Sequence, residues 1–207
     1  QGLLANWNGG SDEDRILRLL RMASYLRDVD ADLVVLNEVD FQCQWSQNLN
    51  QAEILARAAG YPYWVEQRNF DFQVLGARYA FGNAVLSRFP ILDADRVRLP
   101  PHSHLEEVVL GAKAASLVRV ETESGVLGVV PIHLEFRPGD TRLSALPVLD
   151  SIRRVETAPV VLAGDFNAAP SGWPGASGGT VVDSLLSRGW MSLRASGPPG
   201  PEDLTFP

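Results

Sequence analysis

The 207-residue chain has one cysteine, three histidines and two methionines, and its 18 Lys and Arg are outnumbered by 25 Asp and Glu. A single cysteine, Cys43, excludes an intrachain disulfide and a thiolate-cluster zinc site. Cys43 follows a strand-like run and a carboxylate, so a catalytic thiol stays conceivable. A lone cysteine in such a place reads first as an inert, partly buried thiol. No apolar run approaches the roughly 18–20 residues a membrane helix needs, and no signal-peptide pattern opens the chain. The first residue is Gln1 rather than methionine. A trimmed or processed N-terminus is therefore compatible, and a soluble protein of either the cytoplasm or the secretory route is expected. The net charge of −7 argues mildly against a protein whose whole surface grips nucleic acid, although a local basic groove can sit on an acidic protein.

What is present is an ordinary globular composition, 45% hydrophobic and 21% charged, in a length that suits one domain with a substantial core. Leu3 to Trp7 reads as a short strand. Ser11 with Asp14 three residues on resembles a capping box. Ile16, Leu19, Leu20, Ala23 and Leu26 then recur at helical spacing. Asp32 to Val39 is a near-continuous apolar run, as in a strand covered on both faces. A second helix is expected over Gln47 to Ala59, ended by Gly60. Strand-like runs follow at 61–67, 80–87, 91–99, 109–121 and 126–134, the last two joined as a hairpin through Glu123-Ser124-Gly125. A third helix spans about Thr141 to Val155, with Pro147 early in it or at a kink. Then come a strand at 159–165, a Gly/Pro/Ser loop at 168–179, a short helix near 180–188 and a strand at 190–194. Hairpins and parallel crossovers together imply mixed sheets with helices packed outside.

Four apolar runs end in acid, amide or imidazole: Asn6-Trp7-Asn8, Leu33 to Glu38, Val129 to His133, and Val160 to Asn167. In the last, Gly164-Asp165-Phe166-Asn167, strand alternation puts a carboxylate and an amide on one face and sends Phe166 to the core. Side by side, the four ends would form a cup of oxygen donors with one imidazole, hardware for a hard divalent cation and a phosphate ester. Glu38 needs a cation or donors if buried at its strand end; otherwise it is simply a solvated glutamate. The pair Asp165 and Asn167 could equally form an Asx turn. His102 and His104 sit in a Pro/Ser loop, where a solvated loop is favoured over a metal pair. The stretch from Glu66 to Tyr79 reads as a loop. There Arg68 and Arg78 lie among Phe70, Phe72 and Tyr79, and could grip a base or a lipid headgroup; a packed surface loop is the preferred reading. Trp173 could line the rim of the site or equally be a structural aromatic.

These pieces together resemble the endonuclease/exonuclease/phosphatase superfamily, the DNase I-like metal-dependent phosphoesterases. Asn6-Trp7-Asn8-Gly9-Gly10 is similar to an Asn-Ile-His-Gly-Gly opening. Asp32 to Val39 resembles a strand ending in Gln-Glu-Val. Gly82-Asn83-Ala84-Val85-Leu86-Ser87-Arg88-Phe89-Pro90-Ile91, Ile132-His133-Leu134, Gly164-Asp165-Phe166-Asn167 and Thr205-Phe206-Pro207 follow in the same order. The resemblance implies a four-layer sandwich of two mixed sheets flanked by helices. It implies Mg²⁺ or Mn²⁺ held by Glu38, with Asn6 as a neutral oxygen ligand or a contact orienting Glu38. Asp165 would orient or activate the attacking water, Asn167 would donate to a non-bridging phosphate oxygen, and His133 would donate to the phosphate as charge builds. Asn83 would align Glu38 or the phosphate, or serve as a structural amide. Arg142 resembles the family's arginine, while Ala145 stands where a glutamine is usual.

The family's pattern continues beyond Thr-Phe-Pro into further strands and a Ser-Asp-His segment carrying the usual acid/base histidine. A single domain over residues 1–207, lacking those last strands, is therefore expected, as part of a longer protein. The resulting expectation is a monomeric divalent-metal-dependent phosphodiesterase, nuclease or phosphatase, with a nucleic acid, a phospholipid or a small phosphoester as substrate. The alternative is a noncatalytic phospholigand- or protein-binding domain on the same fold, lacking proton transfer worth about 10²–10⁴-fold.

Overall fold

The structure, a computed structural model, describes residues 11–100, 114–134, 140–169, 171 and 180–193. The expected strand at Leu3–Trp7, the residues Asn6, His102, His104 and Trp173, and the Thr205-Phe206-Pro207 end lie outside them.

Helix α1 (Asp12–Val29) starts where expected. The Ser11 hydroxyl accepts from the Asp14 N–H, and the Asp14 carboxylate accepts from the Ser11 N–H, so two orphan donors of the first turn are satisfied reciprocally. Its buried stripe is Arg15, Leu19 and Ala23, with Leu26 partly buried; Ile16 and Leu20 are exposed. The stripe keeps Leu19, Ala23 and Leu26 of the expected set and takes in Arg15, while Ile16 and Leu20 fall at its solvent side. Helix α2 (Gln51–Ala59) starts four residues later than expected. The Asn50 side chain caps it by accepting from the Glu53 N–H, while Gln47 and Asn48 hold positive φ and cannot continue a helix.

Two sheets follow. In the first, β1 (Leu33–Asp40), β3 (Ala77–Ser87) and β2 (Tyr63–Val74) lie in the order β1-β3-β2, all antiparallel. In the second, β4 (Ile91–Arg98), β5 (Ala114–Thr122), β6 (Gly125–His133) and β7 (Val160–Asp165) lie in that order, with β6 and β7 parallel. The β6–β7 crossover carries α3 (Asp140–Leu143) and α4 (Leu146–Val155). These two pieces replace the single helix expected there, and Pro147 sits in the first turn of the second, where its missing N–H costs nothing. Helix α5 (Thr180–Ser187) follows. Two further expectations need correction. The stretch 66–79 is the outer half of the β2–β3 hairpin, not a loop. Residues 190–193 form no strand: the Trp190 indole donates to Asp150 on α4 at 3.2 Å and lies under the Arg153 guanidinium at 5.1 Å.

Side-chain alternation sorts these strands into four layers. Outward residues of the first sheet, Leu86 with Val34 and Leu36, pack on α1 and α2. Outward residues of the second, Val130, Ile132 and Leu117, pack on α4 and α5 through Leu149, Ile152, Val181 and Leu185. Between the sheets lies a thin apolar layer of Val85, Val118, Val120 and Val129, with Leu33, Val35 and Val65. This is the expected helix–sheet–sheet–helix sandwich. Along β1, β3 and β6 the same inward face runs on from Leu33, Val35, Val85 and Val129 to Asn37, Asn83 and His133. The inter-sheet layer thus turns polar at one end, and that end is the candidate site. Among the described residues no helix is long and apolar enough to cross a membrane.

Candidate active site

The polar end is built from irregular backbone. In β1, Leu36 pairs with Ala84 and Val39 with Gly82, so Asn37 and Glu38 oppose Asn83 alone. This is a β-bulge, and it re-aims the extra side chain out of the sheet. Glu38 takes φ 57°, a left-handed conformation that a glutamate adopts only under constraint. A second shift, between Arg68 and Phe70 of β2, falls beside the same stretch of β3. Gly82 lies between the two bulges. A Cβ there would stand 1.9 Å from the Gln67 carbonyl oxygen and 2.9 Å from the Asn69 nitrogen, so the glycine of Gly-Asn-Ala is required by the close approach of β2.

The second sheet arrives with its own irregularity. His133 of β6 pairs with Asp165 of β7, so imidazole and carboxylate end adjacent strands. Gly164 has φ 126°, and a Cβ on it would meet the Ile132 carbonyl oxygen at 2.2 Å and Asn37 Oδ1 at 2.9 Å. Asn167 has φ 48°; its N–H donates to Asp165 Oδ1 at 2.7 Å and its side-chain amide donates to the Leu134 carbonyl at 2.8 Å. The Asx turn weighed against a chemical role is therefore present. It fixes Asp165 and Asn167 relative to each other, and an amide has a second donor hydrogen to offer. Phe166 goes to the core as expected, against the cluster under α4 and α5.

The two sheets meet at these ends. His133 Nε2 stands 3.9 Å from Glu38 Oε1. Asn37 joins three strands at once. Its Nδ2 donates to Asn83 Oδ1 at 3.0 Å and to the Ile132 carbonyl at 2.8 Å, and its Oδ1 accepts from the Asp165 N–H at 3.0 Å. Glu38, Asn83, His133, Asp165 and Asn167 are thus brought to one rim. The Glu38 side chain is 69% exposed and faces no Lys or Arg within ion-pair distance among the described residues. Asp165 is likewise exposed, with the Asn167 N–H as its side-chain partner. Nor do three His, Cys, Asp or Glu side chains converge there as a ready metal cage, again among the described residues. Asn37 was missed in the sequence because an amide before a strand-end acid looks like any solvated polar residue; only the register of β1 turns it inward.

Arg68 and Arg78 are placed elsewhere, on the hairpin arm. Arg68 donates to Glu66 and Asp71, and Arg78 to Asp71 at 2.7 Å and to Gln42 at 2.9 Å. The Arg78 hydrogen bonds, with those of Arg68, hold the Asp71 carboxyl well below the usual range, at about 2. Phe70 stacks on Phe81 and Phe72 on Tyr79 across the arm. Arg142 is buried, 5% exposed, near the start of the outer helices. Cys43 is fully buried, bonded to both the N–H and the carbonyl of Ala80, and burial pushes its thiol up to about 12. That suits the inert reading. A cavity of about 500 Å³ flanks β7 on its outer side between Leu162, Leu185 and Trp190, with no carboxylate among the described residues that line it. A smaller one of about 280 Å³ lies against Asn37 and Glu38, with Arg15 and Leu19 of α1 on its far wall.

A family model for the endonuclease/exonuclease/phosphatase family matches residues 5–203. The chain belongs to that family. Solved structures of similar fold include an endonuclease/exonuclease/phosphatase family protein from Leptotrichia buccalis (18% identity, TM-score 0.62, covering 90% of this chain and 70% of that one). Sphingomyelinase C from Streptomyces griseocarneus is similar at 20% identity and TM-score 0.61, over 84% of this chain and 62% of that one. An endonuclease/exonuclease/phosphatase from Beutenbergia cavernae is similar at 24% identity and TM-score 0.58, over 81% and 47%. The chain therefore spans between 47% and 70% of the length of these three structures. No curated protein matches it. At these identities the likeness is one of fold, and it is the fold that the family expectation named: two facing sheets with helices outside.

Proposed function

We propose that this protein hydrolyses phosphoester bonds with activated water, assisted by Mg²⁺ or Mn²⁺. The observation that carries the reading is the pair of exposed carboxylates, Glu38 and Asp165. Strained backbone in two different sheets delivers them to one rim beside His133, and no cation among the described residues neutralises them. Strand-end carboxylates left without a cationic partner at one rim are what a bound cation would neutralise. The donor set fits a magnesium-type ion. Such an ion keeps several waters and is held by one or two carboxylates plus substrate phosphate oxygens, not by an all-protein cage. Glu38 would hold it, with Asn6 as a neutral oxygen donor. When bound, the ion would supply positive charge against the non-bridging phosphate oxygens.

The chain's own residues would do the rest. Asp165, fixed by the Asx turn and by the bond from its N–H to Asn37, would orient a water in line with the scissile P–O bond and take up its proton as the new O–P bond forms and the scissile bond breaks, the leaving oxygen departing with its electron pair and taking a proton from solvent. The free amide hydrogen of Asn167 and the His133 imidazole would donate to the phosphate oxygens as charge builds. Asn83 would keep its place beside Asn37 and align the phosphate. Arg68 and Arg78 could reach a substrate only by giving up Asp71 and Glu66, so they would act at most on a long ligand lying along the arm.

The test is release of nitrophenolate from bis(4-nitrophenyl) phosphate by the full-length protein in Mg²⁺, in Mn²⁺ and in EDTA. Turnover should need the metal and should drop by at least about 10²-fold in Glu38→Gln. Turnover in EDTA, or an unchanged rate in Glu38→Gln, would overturn the proposal. Tight phosphate binding with no turnover would favour the noncatalytic reading. A panel of DNA, sphingomyelin and sugar phosphates would then assign the substrate class.

A further inference from the structure

Asn37 does more than fill the seam between the sheets. We infer that it is a positioning residue that sets the location of Asp165 relative to Glu38, an inference that rests on the hydrolase reading and deepens it.

The residues before it on the inward face of β1, Leu33 and Val35, are apolar and belong to the inter-sheet layer. A third apolar side chain would have continued that layer. Instead an amide stands there, and both of its donor hydrogens and its acceptor are used. They go to three strands: Asn83 of β3, the Ile132 carbonyl of β6 and the Asp165 N–H of β7. The contact with Asp165 spans 128 residues of sequence. The partners also fix which way the amide points. Reversed, its NH₂ would face the Asp165 N–H and its oxygen would face two acceptors. Aspartate has the same shape and cannot do this, because one carboxylate oxygen would face the Ile132 carbonyl and Asn83 Oδ1. The site is prepared for the amide from the other side as well. β7 comes so close at Gly164 that a Cβ there would stand 2.9 Å from Asn37 Oδ1.

The point of attachment separates positioning from mere adhesion. The latch holds the backbone N–H of Asp165 itself, on the far sheet, and Asn37 is the residue directly before Glu38 in the bulge. One side chain therefore ties together the two backbone segments that carry the carboxylates. Each segment contains a residue held at positive φ, Glu38 in one and Asn167 in the other. Without the latch, the bulge and the Asx turn would relax independently, each toward an unstrained conformation. Phosphoryl transfer depends on placement within about 0.5 Å, so the loss should appear in turnover more than in substrate binding.

The test compares Asn37→Ala and Asn37→Asp with Leu149→Ala, a cavity mutation on α4 at the outer side of the second sheet, whose fully buried side chain belongs to the core cluster of α4 and α5 and makes none of the rim's hydrogen bonds. It uses the full-length protein with bis(4-nitrophenyl) phosphate, and adds Mn²⁺ binding by electron paramagnetic resonance without substrate. For Asn37→Ala, kcat should fall about 10–100-fold, as for other residues that orient ligating groups. KM should stay within about threefold, and Mn²⁺ should bind more weakly. Asn37→Asp should fall at least as far. Leu149→Ala should lose at least as much Tm as Asn37→Ala while keeping kcat and Mn²⁺ affinity. An equal fall of kcat in Leu149→Ala, or an Asn37→Ala whose kcat stays within about threefold of the parent, would overturn the inference alone. Unchanged turnover in Glu38→Gln and Asp165→Asn would overturn the hydrolase reading, and the positioning role with it.

Discussion

The strand-end rim and the β2–β3 arm hold similar side chains and treat them in opposite ways. On the arm the charged side chains all have opposite partners: Asp71 lies between Arg68 and Arg78, Glu66 takes Arg68, and aromatic rings stack across the strands beside them. The backbone there is a regular ladder from Phe70–Phe81 to Val74–Ala77. At the rim, Glu38 and Asp165 have no guanidinium or ammonium partner among the described residues, their backbones are bulged or turned, and positive φ occurs at Glu38, Gly164 and Asn167. Charge that is paired off builds structure; charge kept apart at strained positions is available for a ligand. The difference separates the two sets of candidates that sequence reading placed side by side, Arg68 and Arg78 from Glu38 and Asp165.

The largest effect that sharpens this contrast should come from Gly164→Ala. The added Cβ meets the Ile132 carbonyl oxygen at 2.2 Å, at a φ of 126°, so strain and collision combine. A loss of about 3 kcal/mol or more is expected, read from the denaturant midpoint. A loss under about 1 kcal/mol would mean that the rim is not as rigid as the arm comparison requires.

Arg78→Ala should cost far less. Its side chain is 42% exposed and that of Asp71 is 32% exposed, and solvent-screened pairs contribute about 0.2–1 kcal/mol. Turnover should be unaffected by it. A large fall in activity would move the arm into the site and dissolve the distinction.

The smallest effect is a titration. Asp71 has a depressed pKa, so the stability it contributes is fully present above the unfolded carboxylate value of about 3.9. That contribution is lost as pH falls through about 2. Carboxyl-carbon NMR should give a midpoint near 2 in the parent protein. In Arg78→Ala the midpoint should rise, because the first cause of the depression is gone. A midpoint that does not move would mean the arm's charges are not paired as described.

Much of this was legible in the chain. The reciprocal Ser11–Asp14 cap, the Gly125 hairpin and the β6–β7 crossover each rest on local chemistry: a hydroxyl near an N–H, a turn residue, an apolar run followed by a helical one. The strand-end acids were visible because several apolar runs each stop in acid, amide or imidazole and follow one another in the family's order. The arm was not legible. Its two-residue connection is Leu75-Gly76, with Leu75 at φ 50°, and a leucine in that position gives none of the Asn-Gly signal that marks a hairpin. Charged and aromatic residues without a turn signal look like a loop. The bulge at Asn37–Glu38 was not legible either, because it exists only as a mismatch of register with β3. Without the bulge, Asn37 has no reason to differ from any polar strand end. Asn6, placed in the site by resemblance, lies outside the described residues.

The most direct measurement compares two isosteric changes, Asp165→Asn at the rim and Asp71→Asn on the arm, by kcat on bis(4-nitrophenyl) phosphate in Mg²⁺. Asp165→Asn should lose at least about 10²-fold, while Asp71→Asn should stay within about threefold of the parent at a temperature where both remain folded. Equal rates in the two variants, or an Asp165→Asn that turns over like the parent, would contradict the assignment of the strand-end rim as the catalytic site.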